Sequence, residues 1–525
     1  MVSFYEEIQK SDSISDEKEN NESRANVDKW IFRLFLVLIG VMPLIVMADI
    51  VEVVSPLITN LDILTSGLKG ELFTSFKALM LLVITLIIAI LFLIKIFFMN
   101  GSIRKTFLNY VLGIFAMVIV ISTVLSPNIS IVLNGQYNRS DGAIVWLCYV
   151  TLLFVALNIE YPKNVVRSVM YTMLPFIFIN LYIITMNFVG KDLLQQTWLQ
   201  KLVTLMLPEG ADISEGSTLI GTLNHGNYMS GMFAIMALMY FVWAVLEKRT
   251  LNKILGLVAA IASIYVIFMS LSTSGFLTVL CITPILIWII IKAEKKILAV
   301  AFFAVFLITS GTGLHMLAKE NSKVWDETFG FFVSSNPYVE ETIQPVSNLK
   351  NNQSPLPKIF VNKAYASEQA VEIPELPQTG VGAGSGRVYI WTYILDLVKE
   401  RPIQGYGMDS LMYNFQHYNI DARANLETEA VIVDKPHNMY IGVLYGVGIV
   451  GFMAFMVLVL VSTWISLKQV FKFKPQNILA TVLAVGILAF FFQAIFNDSL
   501  PGINGVMWII LGIFLVNFKR QSENV

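Results

Sequence analysis

The pair His437-Asn438 is followed by nine residues and then by Gly448-Ile449-Val450-Gly451, and it stands where a long polar stretch re-enters an apolar run. That junction puts an imidazole at the mouth of a membrane helix, where it can face water on one side and the membrane on the other. With an unperturbed pKa near ~6.5 the ring is largely neutral at neutral pH, and it can take a proton from an attacking hydroxyl. The chain has three other histidines, His225, His315 and His417. Each reads more simply as an interfacial or loop residue, because none has a comparable surrounding pattern. Glu427, Glu429 and Asp434 precede His437; any of them could orient the ring, and the sequence does not choose between them.

Two arginines have the right setting to hold an anion. Gly384-Ser385-Gly386-Arg387 opens an amphipathic segment, Val388 to Lys399. Its glycines allow close backbone approach, a helix start offers free N–H groups, and a guanidinium there can grip a phosphate through two parallel bonds. Arg139 lies in the short loop Gly135-Gln136-Tyr137-Asn138-Arg139-Ser140-Asp141-Gly142, on a side of the chain that otherwise avoids positive charge. Arg401 and Arg423 are loop arginines without such a motif. No metal site is expected: histidines do not cluster at ligand spacing, although Asp49 and Glu52 could share one helix face. No cofactor and no nucleotide-phosphate loop is expected either.

These residues need a membrane scaffold. The chain has 525 residues, 56% hydrophobic and 14% charged, where a soluble domain carries about 25% charged residues. Its mean hydropathy is +0.68. Apolar runs of about 20 residues without alternation imply helices and not a barrel. A net charge of -1 argues against nucleic acid as a partner. Cys148 and Cys281 lie far apart in apolar runs and read as small core residues. Residues 1–28 are polar and acidic, which suggests a disordered cytoplasmic tail.

Twelve apolar runs follow, at 30–48, 78–98, 107–125, 142–158, 168–189, 227–246, 251–271, 274–293, 297–314, 437–467, 477–496 and 501–518. The run 437–467 exceeds a perpendicular span, so it should tilt or project. With both termini cytoplasmic, the inner loops and C-terminus hold sixteen lysines and arginines against five in the short outer loops, the bias that orients membrane proteins. The expected organisation is a tail at 1–28, spans one to nine within 29–314, a large extracytoplasmic loop at 315–436, spans ten to twelve within 437–518, and a short tail at 519–525. Within the large loop, Asn336 to Gly380 reads as extended. Trp391, Ile394, Leu395 and Val398 form an apolar stripe on a helix lying along the membrane, ended by Pro402 and Gly405-Tyr406-Gly407. A second outer loop, 190–225, has a half-amphipathic piece with Leu193, Leu194, Trp198 and Leu202.

The His-Asn-x9-Gly-x-x-Gly pattern, the Gly-Ser-Gly-Arg helix start with Pro402-x-x-Gly405-x-Gly407, and Gly135, Arg139 and Gly142 together resemble the O-antigen ligase and O-antigen polymerase superfamily. The resemblance covers 130–142 and 384–451 by motif and most of the chain by topology. It implies an all-α integral membrane glycosyltransferase of the C type, in the bacterial cytoplasmic membrane with its site on the outer face. The implied donor is an oligosaccharide on undecaprenyl diphosphate, the acceptor a glycan, lipid or protein, and the chemistry metal-independent and inverting. His437 would be the base, Arg387 and Arg139 would bind the diphosphate, and Gly384, Gly386, Asn438, Gly448 and Gly451 would support them. Many relatives have Ser-Arg-Gly before the eighth span. Here Ser272-Thr273-Ser274-Gly275 lacks the arginine, leaving Arg401, Arg423 or Lys435 as substitutes and favouring a polymerase over a ligase. A transporter or flippase fits less well, because charges gather at helix ends and the large loop breaks any symmetry between halves.

Overall fold

A computed structural model describes residues 2–56, 66–208, 218–333, 335–339, 386–417, 432–472 and 479–522. Its helices, in chain order, begin with α1 (Val2–Gly40), α2 (Ser75–Phe98), α3 (Phe107–Val124), α4 (Ile129–Asn134), α5 (Ala143–Asn158) and α6 (Val165–Phe188). Next come α7 (Thr197–Val203), α8 (Gly226–Leu246), α9 (Thr250–Met269), α10 (Thr273–Lys292), α11 (Lys296–Glu320) and α12 (Lys323–Asp326). The series closes with α13 (Arg387–Glu400), α14 (Leu411–Asn414), α15 (Met439–Phe471), α16 (Ala480–Gln493) and α17 (Pro501–Ser522).

Each of the twelve apolar runs falls on a helix. Lipid offers backbone groups no partner, so a long Leu/Ile/Val/Phe run must satisfy its own hydrogen bonds. Among the described residues nine helices are long and apolar enough to cross a membrane: α2, α3, α6, α8, α9, α10, α11, α15 and α17. The protein is therefore an integral membrane protein of helical build. α5 and α16 are shorter apolar helices, and the first run ends as a helix at Gly40, because Pro43 falls in a 3-10 turn at Met42–Leu44. α8 is buried along its whole length and packs on α9, α10 and α16. α15 lies against α3 and α16, and α17 against α5.

One departure from an all-α reading is an antiparallel hairpin, β1 (Asp49–Val53) with β2 (Gly67–Glu71), in the register Asp49↔Glu71 to Val53↔Gly67. The β-branched residues Ile50, Val51, Val53 and Val54 favour it. Asp49 and Glu52 consequently sit on a strand, not on one helix face, and Asp49 accepts a hydrogen bond from the Ser75 hydroxyl.

The run 437–467 neither simply tilts nor simply projects. α15 breaks at Gly448, where φ is +66° and ψ −174°. The segment after α13 fills the break: Ile449 N–H donates to Pro402 O at 2.7 Å, Tyr406 N–H to Tyr445 O at 3.0 Å and Gly407 N–H to Gly446 O at 2.8 Å. From α3, Ser122 Oγ donates to Gly446 O at 2.5 Å, and beyond its end Ser126 Oγ donates to Tyr406 O at 2.6 Å. A Cβ on Gly448 would collide with Ile403 O, and one on Gly405 would come within 2.5 Å of Gly446 O. The glycines of 405–407 and of 448 thus form one device, a loop backbone laid into an opened helix. Gly451 faces Val118 of α3 on the continuing half.

The stripe of α13 is turned differently from expectation. Ile390, Ile394, Leu397 and Val398 are buried, while Leu395 is 43% exposed. Its partners are Tyr406, Leu411, Phe415, Val433 and Tyr445, a small separate core, so the stripe packs on protein. Around α7, Leu193 and Leu194 are buried, while Trp198 and Leu202 are exposed. Most of the Asn336–Gly380 stretch lies outside the described residues.

Candidate active site

His437 stands just ahead of α15 with φ +52°. Asn438 is the cap of that helix: its side-chain oxygen accepts the N–H of Tyr440 at 3.0 Å and of Ile441 at 3.1 Å. The Asn438 N–H donates to Asp498 Oδ1 at 3.2 Å, and Met439 N–H donates to both Ala494 O and Asn497 O. On the other side Trp391 Nε1 donates to Pro436 O at 2.7 Å. The His-Asn turn is therefore clamped between the loop preceding α17 and the α13 helix.

Asp498 is the residue that organises the site, and sequence reasoning passed over it. Its Oδ2 lies 3.8 Å from His437 Nδ1 and 3.7 Å from Arg139 Nη1, and is buried without a hydrogen-bond partner among the described residues. The distances are too long for hydrogen bonds and short enough for strong charge coupling. Of the three carboxylates expected to orient the ring, Asp434 instead pairs with Lys435 at 3.3 Å, and Glu427 and Glu429 lie outside the described residues. One sign was present: Asp498 is the single charged residue between Leu479 and Phe518, at the mouth between two apolar runs.

Arg139 is buried, and its Nε bonds Asp409 Oδ1 at 2.5 Å. Its Nη1 is 3.5 Å from the Tyr228 hydroxyl. Burial works against this guanidinium, but Asp409, Tyr228, Asp498 and Asp434 together outweigh it and hold the pKa well above the ordinary value. Gly135 (φ +89°) and Gly142 explain the loop motif, since a Cβ on either would collide with the backbone of the other arm. Beside it, Asp141 accepts hydrogen bonds from Trp146 Nε1, Tyr149 OH and Ser499 Oγ at 2.9 to 3.0 Å, which ties this loop to the neighbour of Asp498. Burial, with the nearby Asp409, pushes the Asp141 carboxyl up to about 8.

Arg387 begins α13 directly after Gly386, which takes the left-handed conformation at φ +77°. Gly384 and Ser385 lie outside the described residues. The Arg387 Nη1 donates to Phe496 O at 3.3 Å, two residues before Asp498, and makes no ion pair among the described residues. Burial lowers its pKa, partly offset by Asp498 and Glu327. Of the possible replacements for the missing arginine, Lys435 is at the site, its Nζ 5.7 Å from the Tyr228 ring centre. Arg401 is elsewhere, donating to Leu125 O and covering Tyr406, and Arg423 is outside the described residues. Ser272 and Ser274 bond each other, and Ser274 also accepts from Gln493.

Burial pushes the His437 imidazole down to about 4, with Lys435 and Arg387 adding to the fall and Asp498 and Asp434 opposing it. The ring is thus neutral at physiological pH. The other histidines serve elsewhere: His225 caps α8 through Asn227 N–H, His315 bonds Tyr338 OH and His417 bonds Met412 O. Among the described residues no group of three His, Cys, Asp or Glu could hold a metal ion. A cavity of about 40 Å³ lined by Arg139, Asp409, Asp434 and Asp498 has room for water and not for a sugar.

No curated protein matches the chain. Residues 258–456 match a family model described as O-antigen ligase, a stretch that contains Arg387, His437 and the Gly448 break but not Arg139 or Asp498. With the motifs and the membrane helices already in place, that match supports the O-antigen ligase and O-antigen polymerase superfamily.

Proposed function

We propose that the protein is a glycosyltransferase of the C type with twelve spans, acting at the outer face of the bacterial cytoplasmic membrane. It moves glycan from undecaprenyl diphosphate to an acceptor sugar hydroxyl and so polymerises surface-polysaccharide repeat units. The observation that carries this reading is the grouping, around one buried Asp498 carboxylate, of a neutral histidine and of Arg387, which has no ion-pair partner among the described residues.

In the reaction the acceptor O–H gives its proton to His437 while its oxygen attacks the anomeric carbon. The carbon–oxygen bond to the diphosphate breaks, the electron pair leaves with the diphosphate, and attack from the opposite face inverts the centre. A metal is not required, because the leaving charge has cationic partners. Arg387 is the better direct ligand, since Asp409 already engages Arg139; Arg139 acts at longer range and holds Asp498 in place. Asp498 stabilises the imidazolium as it forms. The polymerase is preferred to a ligase on the absent arginine at 272–275, whose serines are engaged with each other and with Gln493.

Purified protein in liposomes with a lipid-linked repeat unit as both donor and acceptor tests this. The expected product is a ladder of lengthening lipid-linked chains with release of undecaprenyl diphosphate. Release only when a lipid-A core, protein or wall acceptor is added would make the protein a ligase, and no release under either condition would remove the transferase reading.

A further inference from the structure

The 134–140 loop walls two cavities. On one side is the small polar space at Arg139 and Asp498. On the other, between the β1–β2 hairpin, the start of α2 and α5, lies a larger groove of about 290 Å³, close to the ~300 Å³ at which small-molecule sites begin. Its polar lining is amide and hydroxyl: Asn134, Asn138 and Ser140. Its lower wall, including Ala78 and Leu82, is apolar and continues onto the exposed face of α2. Among the described residues no lysine or arginine lines it. Its one carboxylate, Glu71, is engaged: Oε1 accepts from the N–H groups of Phe73 and Thr74, and Oε2 from that of Ser75 at 2.7 Å.

That chemistry selects its occupant. Without a cation the groove does not suit a phosphate, a diphosphate or an anionic phospholipid headgroup. Uncharged amides and hydroxyls above a hydrocarbon wall suit a sugar joined to a lipid chain. The loop also leads to the reacting centre: Gln136 N–H donates to Asp409 Oδ2 at 2.9 Å and its Nε2 to Asp434 O at 2.9 Å, three residues before His437. Gln136 is 3% exposed, and its side-chain oxygen has no hydrogen-bond partner.

We propose that this groove is a second ligand site, which takes the uncharged saccharide end of a glycolipid with its hydrocarbon chain running down α2. Such a ligand carries no diphosphate, so it is not the lipid-linked acceptor of the polymerisation reading, and the site does not rest on that reading. The test uses full-length protein in nanodiscs and a monoglucosyl diacylglycerol with a photoreactive acyl chain, cross-linked and mapped by mass spectrometry. The expected result is labelling at 75–82 and 144–145 that excess unlabelled glycolipid abolishes and excess undecaprenyl diphosphate leaves intact. Ala78→Trp, which fills the lower wall, should reduce labelling about tenfold. Competition in the wild type needs no variant, so a folding failure of the tryptophan protein does not blunt the test. Equal labelling by phosphatidylglycerol with the same chain would make the groove ordinary lipid surface, and displacement by undecaprenyl diphosphate would make it the donor's path; either overturns the proposal, as does absence of labelling. No turnover is needed, so His437→Ala should label normally and the two proposals fail separately.

Discussion

Asp498 Oδ2 faces His437 Nδ1 at 3.8 Å and Arg139 Nη1 at 3.7 Å, so one buried carboxylate oxygen is shared between an imidazole and a cation already paired to Asp409. The other oxygen is fixed by the N–H of Asn438. Imidazole, cap and arginine loop are thereby coupled through a residue on the far side of two apolar runs.

His437→Ala should lower glycan transfer by roughly 10²–10⁴-fold, the usual range for loss of a general base. Undecaprenyl diphosphate binding should persist, and EDTA should leave the wild type active. Turnover measured with purified variant would reject the assignment if it stayed above about a tenth of wild type.

The acid limb of the rate profile should lie near the His437 pKa of about 4 and not near the free value of 6.5. The sign follows from burial: the neutral form is favoured, so the base stays competent as pH falls until that lowered value is reached. Asp498→Asn removes a charge that raises this pKa, so its acid limb should move lower still while the rate falls. A limb at about 6.5 in the wild type would mean an exposed imidazole.

Arg387→Ala should weaken undecaprenyl diphosphate binding strongly, and Arg387→Lys should recover only part of it, because an ammonium cannot grip two oxygens in one plane. Binding isotherms for the three proteins decide this. Full recovery by lysine would make the contact one of charge alone.

Asp409→Ala leaves the Arg139 guanidinium buried without its closest partner, at a cost of about 3–5 kcal/mol. Thermal unfolding in detergent should show a large fall in Tm, and Asp409→Ala with Arg139→Met should recover much of it. An unchanged Tm for the single variant would show that water reaches the pair.

Gly448→Ala should destabilise the protein and reduce activity, since φ +66° is strained for alanine and its Cβ would meet Ile403 O. Val450→Ala, at an exposed position two residues on, is the control. Equal stability of the two proteins would mean that the loop is not seated in the break.

The sequence by itself determined the membrane class, the position of each apolar helix and the family resemblance, because these follow from run length and from short motifs whose residues are local. The α13 start at Arg387 was legible for the same reason. Tertiary structure alone decided which residues meet. Asp498, Asp409 and Tyr228 come from three segments remote from His437 and Arg139, and a lone aspartate between two apolar runs does not announce its partner. The hairpin at 49–71 and the break at Gly448 were likewise hidden, since each depends on another segment supplying hydrogen bonds to a backbone that its own sequence leaves unpaired.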